Sequence, residues 1–192
     1  LQNLIRNQVA YQIKKTMDSI FIGMCEAAVA DSGQVLDLSA TPGVGPNITP
    51  DILVQAFNLI DDSSAAGRAG QYLTAETMLM SRAQYNYVNT WIQTSSTGAV
   101  ANGIGTEFWR DGFTYDRLFG RRVVKTIKDY IVPSNVVWLF TKPELIGHHF
   151  SLGDDRFYIE KKYDFMTWKG ARSFGAAIGN NPAIAKVILP AA

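Results

Sequence analysis

The chain has 192 residues, 47% of them apolar and 18% charged, which suffices for an ordinary buried core and excludes a charge-rich disordered tail. Lysine and arginine number 18 against 17 acids. There is no basic excess of the kind a dedicated nucleic-acid binder carries, and copies of so nearly neutral a chain repel one another only weakly.

The first segment, Leu1 to Ala30, reads as one long helix. Its apolar residues (Leu1, Leu4, Ile5, Val9, Ile13, Met17, Ile20, Phe21, Met24) recur at steps of three and four, with no proline between them. Gly33 is the expected stop. Thirty helical residues would span about 45 Å, whereas a compact globule of this length has a radius of gyration of about 16 Å. A rod of that size implies a flattened, elongated body. The chain opens at Leu1, inside the helical pattern, so a trimmed or processed N-terminus is expected.

Leu38 to Asn47 is a turn-rich connector. Thr49-Pro50-Asp51 then starts a second helix, with Thr49 as cap, proline at the first helical position and Asp51 at the positive end of the dipole. Ile52, Leu53, Ala56, Phe57 and Ile60 form its apolar face. After the polar loop at Asp61 to Ser64, Gln71-Tyr72-Leu73 reads as a short strand. Thr74 is expected to cap a third helix, with Glu76 in its first turn and Met78, Leu79, Ala83 and Val88 on the buried side. Thr94 to Gly105 reads as an exposed loop. Strands are expected at Phe113–Tyr115, Arg122–Ile127 and Val136–Phe140, with a turn at Ile131–Asn135 before the last. Pro143 to Phe150 reads as a short helix. Arg156 to Lys161 opens a strand pair, and the alternation continues from Phe165 until Asn180-Asn181-Pro182 breaks it. Ala183 to Leu189 is the final strand. Helices first and mainly antiparallel strands afterwards make the class α+β, with no solenoid repeat.

The chemistry-bearing residues are sparse. Cys25 is the single cysteine, so an intrachain disulfide or a cysteine-rich zinc site is excluded; its neighbours Ile22, Met24, Ala27 and Ala28 point to a buried structural thiol. The pair His148-His149, with Asp154 and Asp155 nearby, suggests a metal-dependent hydrolase, but no third ligand stands at a recognised spacing and a surface loop is the plainer reading. Gly43-Val44-Gly45 and Gly103-Ile104-Gly105 lack the continuation of a phosphate-binding loop and read as turns. No nucleophile elbow is present. Arg117, Arg121, Arg122, Lys125 and Lys128 cluster within twelve positions. They are candidate intersubunit contacts, given Asp111, Asp116 and Asp129 in the same stretch; nucleic-acid phosphate is the competing partner. Trp91, Trp109, Trp138 and Trp168 supply core packing, with a surplus expected at subunit contacts. No run is long and apolar enough to span a membrane, and no signal peptide is evident.

In order and texture these elements resemble the major capsid proteins of tailed phages and prophages, whose fold encapsulins share. The resemblance rests on the long opening helix, the proline-initiated helix ending Asn58-Leu59-Ile60-Asp61, and the step Gly70-Gln71-Tyr72-Leu73-Thr74-Ala75-Glu76-Thr77. Gly103-Ile104-Gly105-Thr106-Glu107 follows, and then the strand-rich end from Val136-Val137-Trp138-Leu139-Phe140 through Phe165 to Ala177 and Pro182 to Val187. It implies a spine helix of the peripheral lobe (1–32), an axial lobe (33–135) and returning strands completing both lobes (136–192). The N-terminal arm and extended loop of that family are absent from this sequence. It implies further a coat protein and not an enzyme, without cofactor, assembling with copies of itself as pentamers and hexamers into an icosahedral shell. The shell would enclose a genome touched only non-specifically. Such a protein would reside in the virion capsid after synthesis in the host cytoplasm. An encapsulin-like nanocompartment shell is the nearest alternative.

Overall fold

A computed structural model describes residues 2–61, 73–94, 117–162 and 165–191. Helix α1 covers Gln2–Ser32, 31 residues without a break, or about 46 Å. It stops at Gly33, whose φ of +69° is left-handed and whose N–H donates to the Val29 carbonyl at 2.9 Å. This closes one orphan carbonyl of the last turn, and glycine takes the left-handed backbone without a Cβ penalty. Strand β1, Val35–Asp37, follows at once; three residues are too short for alternation to signal.

Helix α2, Pro50–Asp61, begins as the sequence predicts. The Thr49 hydroxyl accepts the Ile52 N–H at 3.4 Å, satisfying one of the free donors of the first turn. Ile52, Leu53, Ala56, Phe57 and Ile60 are buried on one face.

The structure corrects the helix expected from Thr74. Thr77–Ser81 is strand β2, and helix α3 occupies Arg82–Thr94. The backbone at Glu76 is already committed to neighbouring strands: its N–H donates to Phe140 and its carbonyl accepts from Arg122, at 2.9 and 2.8 Å. Met78 and Met80 are then buried by period-two alternation, a pattern that five residues of Thr, Met, Leu and Ser do not distinguish from a helix turn. Val88 is buried as expected, but Ala83 is exposed, and Gln84 and Tyr85 take the inward positions instead. Leu73 is buried without being in a strand. Gln71, Tyr72, the strand expected at Phe113–Tyr115 and the loop from 95 to 105 lie outside the described residues.

Strands β3 (Arg117–Leu118), β4 (Arg121–Thr126) and β5 (Val136–Phe140) come next. A two-residue turn joins β3 to β4, with positive φ at both Phe119 (52°) and Gly120 (75°), the pattern of a twist-matched hairpin turn. Phe119 holds this uncommon conformation with its ring edge-on to Phe57, centroids 6.2 Å apart. A short helix α4, Pro143–Ile146, ends earlier than the sequence suggests, because strand β6 starts at Gly147 and runs to Lys162. Strand β7, Phe165–Ile178, pairs back along it, antiparallel, with a register shift between Leu152 and Arg156. A 3-10 turn, Asn181–Ala183, leads into β8, Ile184–Ile188.

Six strands form one sheet in the order β1-β8-β5-β2-β4-β3, and β6 and β7 form a separate two-stranded ribbon. The six-stranded sheet draws β1 to β4 from segment 33–135 and β5 and β8 from 136–192, so both segments share one core. Every residue of β5 is buried, and its alternation splits the core in two. Val137 and Leu139 join Leu53 of α2 and Val88 of α3, together with Met78, Met80 and Val187. Val136, Trp138 and Phe140 meet Cys25, Ala28 and Val29 of α1. Only the last third of α1 is therefore anchored in the core; the rest lies along β7.

Candidate self-association surface

The five basic residues singled out by the sequence divide in two. Arg121 is engaged inside the chain. Its guanidinium pairs with Asp61 at 2.5 Å, its Nε donates to the Ala75 carbonyl at 2.9 Å, and its plane lies 3.9 Å from the centre of the Phe57 ring. It pins α2 to the start of β2. Lys128 pairs with Asp18 of α1 at 2.7 Å, which holds its ammonium above the usual lysine range. Beside it, the Tyr130 phenol is raised by desolvation and by its hydrogen bond with Tyr11, and the Lys15 ammonium sits 4.4 Å above the Tyr130 ring. These contacts strap the middle of α1 to the β4–β5 connector. The Lys125 ammonium lies 4.2 Å over Tyr85.

Arg117 and Arg122 differ from these three. They stand opposite one another across β3 and β4, both exposed, with no ion pair among the described residues. Like charges directly opposite in a ribbon repel. Asp129 is exposed on the connector, while Asp111 and Asp116 lie outside the described residues.

His148 and His149 are consecutive on strand β6, so their side chains leave on opposite faces. The His148 ring lies near Phe150 and the His149 ring near Phe174, with centroids 6.3 and 6.1 Å apart. The side chains of Asp154 and Asp155 lie outside the described residues. Among the described residues no group of three or more His, Cys, Asp or Glu side chains could hold a metal ion. Gly43 turns the connector with φ at +83°, and Gly103 to Gly105 lie outside the described residues. Cys25 is fully buried, and burial, with Glu26 second, pushes its thiol up to about 12. Trp138 is wholly enclosed in the core; Trp109 and the side chains of Trp91 and Trp168 lie outside the described residues. Among the described residues no helix is long and apolar enough to cross a membrane.

What the sequence did not reveal is how much of α1 and the β6–β7 ribbon stays uncovered. Leu4 is 58% exposed, and Tyr11, Ile20 and Phe21 are also open. On the ribbon Phe150 is 59% exposed, and Phe157, Tyr158 and Ile159 follow one another, all exposed. Every residue from Arg156 to Lys161 is exposed, so this outer half of β6 is wet on both faces. A two-stranded ribbon alone is marginal in water, and needs a third strand or a covering layer. Here α1 lies along β7 and comes closest where Val9 and Ile13 meet Gly170, at which a Cβ would collide with Val9. At the root of the ribbon, Gly147 stands so close to the Ala177 carbonyl that any side chain would strike it. Between α1 and this root lies an apolar groove of about 450 Å³, lined by Met17, Phe21, Phe140, Ile146 and Phe174 among others. The periodicity signals a strand pair; no periodicity signals that the outer half of β6 is left exposed.

No family model matches the chain, and no curated protein matches it. Among solved structures it is similar to a virus-like particle from Pyrococcus furiosus, at 12% identity and a TM-score of 0.47. That alignment covers 83% of this chain and 58% of the other, so the chain spans less than two thirds of the protein it matches.

Proposed function

We propose that the chain is a shell-forming structural subunit, of the tailed-phage major capsid type, and not an enzyme. Its work is the surface it buries against copies of itself. The observation that carries this reading is the outer half of β6, exposed on both faces, with Phe157 and Ile159 open on one and Tyr158 on the other. Apolar side chains left open on both faces of a two-stranded ribbon call for a covering partner. The length of α1 supports the same reading. At about 46 Å it rivals the full width of a globule of this size, and it presents Leu4, Tyr11 and Ile20 to solvent along that length. Near-neutral net charge (+1) permits dense packing of copies.

In this reading α1 is the spine of a peripheral lobe and the ribbon lies beside it. Arg117 and Arg122 are contacts to an acidic edge of a neighbouring copy, since the described residues supply them no counter-ion. The assembled form is a closed icosahedral shell of pentamers and hexamers, the coat of a virion, touching packaged DNA only non-specifically. Closed symmetry turns repeated contacts of about 1,600 Å² each into a finite particle. Negative-stain and cryo-electron microscopy of the purified protein, with and without crowding agents and salt, tests this. Rings or closed shells are expected; a uniform monomer under every assembly condition overturns it.

A further inference from the structure

The outer stretch of β6 carries a charge pattern that complements itself. From Asp154 the sequence reads Asp-Asp-Arg-Phe-Tyr-Ile-Glu-Lys-Lys, ending at Lys162. Reversed about Tyr158, the stretch sets base against acid. Arg156 falls opposite Glu160 and Phe157 opposite Ile159, within the regular part of the strand; Asp154 and Asp155 lie in the irregular stretch between Leu152 and Arg156. Tyr158 falls opposite itself. Antiparallel strands place residues opposite one another in this way, with their side chains on one face.

Among the described residues the backbone of β6 is open to such a partner. β6 pairs with β7 along one edge, and among the described residues no strand lies on its other edge. α1 crosses the ribbon at Gly170, on β7. An open edge strand is a template for another chain. Charged edge residues ordinarily discourage pairing, but here they discriminate between registers. Sliding the second copy by one side-chain repeat sets Arg156 against Lys162 in one direction and against Tyr158, with no ion pair, in the other. A parallel, in-register partner would set every charge against its like. Of these arrangements, only the one centred on Tyr158 sets Arg156 against Glu160. Glu160 already takes Lys169 of β7 through Oε2 at 2.6 Å; its other oxygen remains for Arg156 of the second copy.

We infer that β6 pairs antiparallel with β6 of a second copy of this chain, about a two-fold axis through Tyr158. This rests on the self-assembly reading and names the strand that joins two copies. The contact is isologous, so each residue change acts twice, and it turns two marginal ribbons into one four-stranded sheet.

Tyr158→Cys tests the axis, because Cys25 is buried and does not compete. Mild oxidation is expected to give a covalent dimer. Ile159→Cys is expected to stay uncrosslinked, since residue 159 meets its own copy only diagonally, about 7–8 Å away. In the Tyr158→Cys background, Arg156→Glu and Glu160→Arg should each lower dimer formation about tenfold. An equimolar mixture of the two should recover it. In the mixed dimer the introduced acid of one copy faces the introduced base of the other, and the native pair of Arg156 and Glu160 is kept across the axis. Equal crosslinking at 158 and 159, or no recovery in the mixture, overturns the inference. If the chain forms rings or shells while Tyr158→Cys stays uncrosslinked, this pairing falls and the shell reading stands. If the chain neither crosslinks nor associates, both fall.

Discussion

At Arg121 the chain commits a cation to its own architecture. The guanidinium bridges Asp61, the Ala75 carbonyl and the Phe57 ring, and loss of one partner leaves partly buried acceptors unsatisfied. Arg121→Ala is expected to cost about 1–3 kcal/mol in urea unfolding. Arg117→Ala and Arg122→Ala, whose side chains are exposed, should stay within about 0.5 kcal/mol and act instead on association. The run of five basic residues is legible in the sequence, but its division is not, because the partners of Arg121 and Lys128 lie 60 and 110 positions away. Cys25 gives a second test. Its raised pKa means the folded state holds the thiol proton more tightly than the unfolded state. The associated stability is intact below the unfolded value of about 9 and is lost as pH rises toward about 12. The thiol should resist alkylation in the folded protein at neutral pH and react on denaturation.

Among the elements, those with a strong local signature are legible: α1 from its spacing and Gly33, α2 from Thr49-Pro50-Asp51, and the ribbon from Arg156 onward; the start of β6, Gly147 to Phe150, reads as helix in the sequence and is strand in the structure. β2 is not, because its five residues carry no decisive local preference. Its conformation is set by β4 and β5, which bracket it on either side and are remote in sequence. β1 and β3, of three and two residues, exist only through their neighbours. The crossing of α1 over β7 is equally illegible, since it depends on Gly170 lacking a side chain. Gly170→Val should wedge Val9 away and cost about 1–3 kcal/mol, read as a lower unfolding midpoint and faster hydrogen exchange in β7. Leu4→Glu with Ile20→Glu alters open positions of α1. Those changes should leave stability within about 0.5 kcal/mol and reduce association.

For the whole molecule, the six-stranded sheet, covered by α2 and α3 on one face and by the last third of α1 on the other, forms the core, and the rest of α1 and the ribbon extend beyond it. On the proposed reading, that asymmetry between a finished body and open extensions is what would let the chain work by meeting copies of itself. Sedimentation velocity across a wide range of concentration measures it most directly. The account predicts discrete species well above the 21.2 kDa monomer, growing with concentration and shifted back by the paired change Leu4→Glu with Ile20→Glu. A single monomer boundary at every concentration would contradict it.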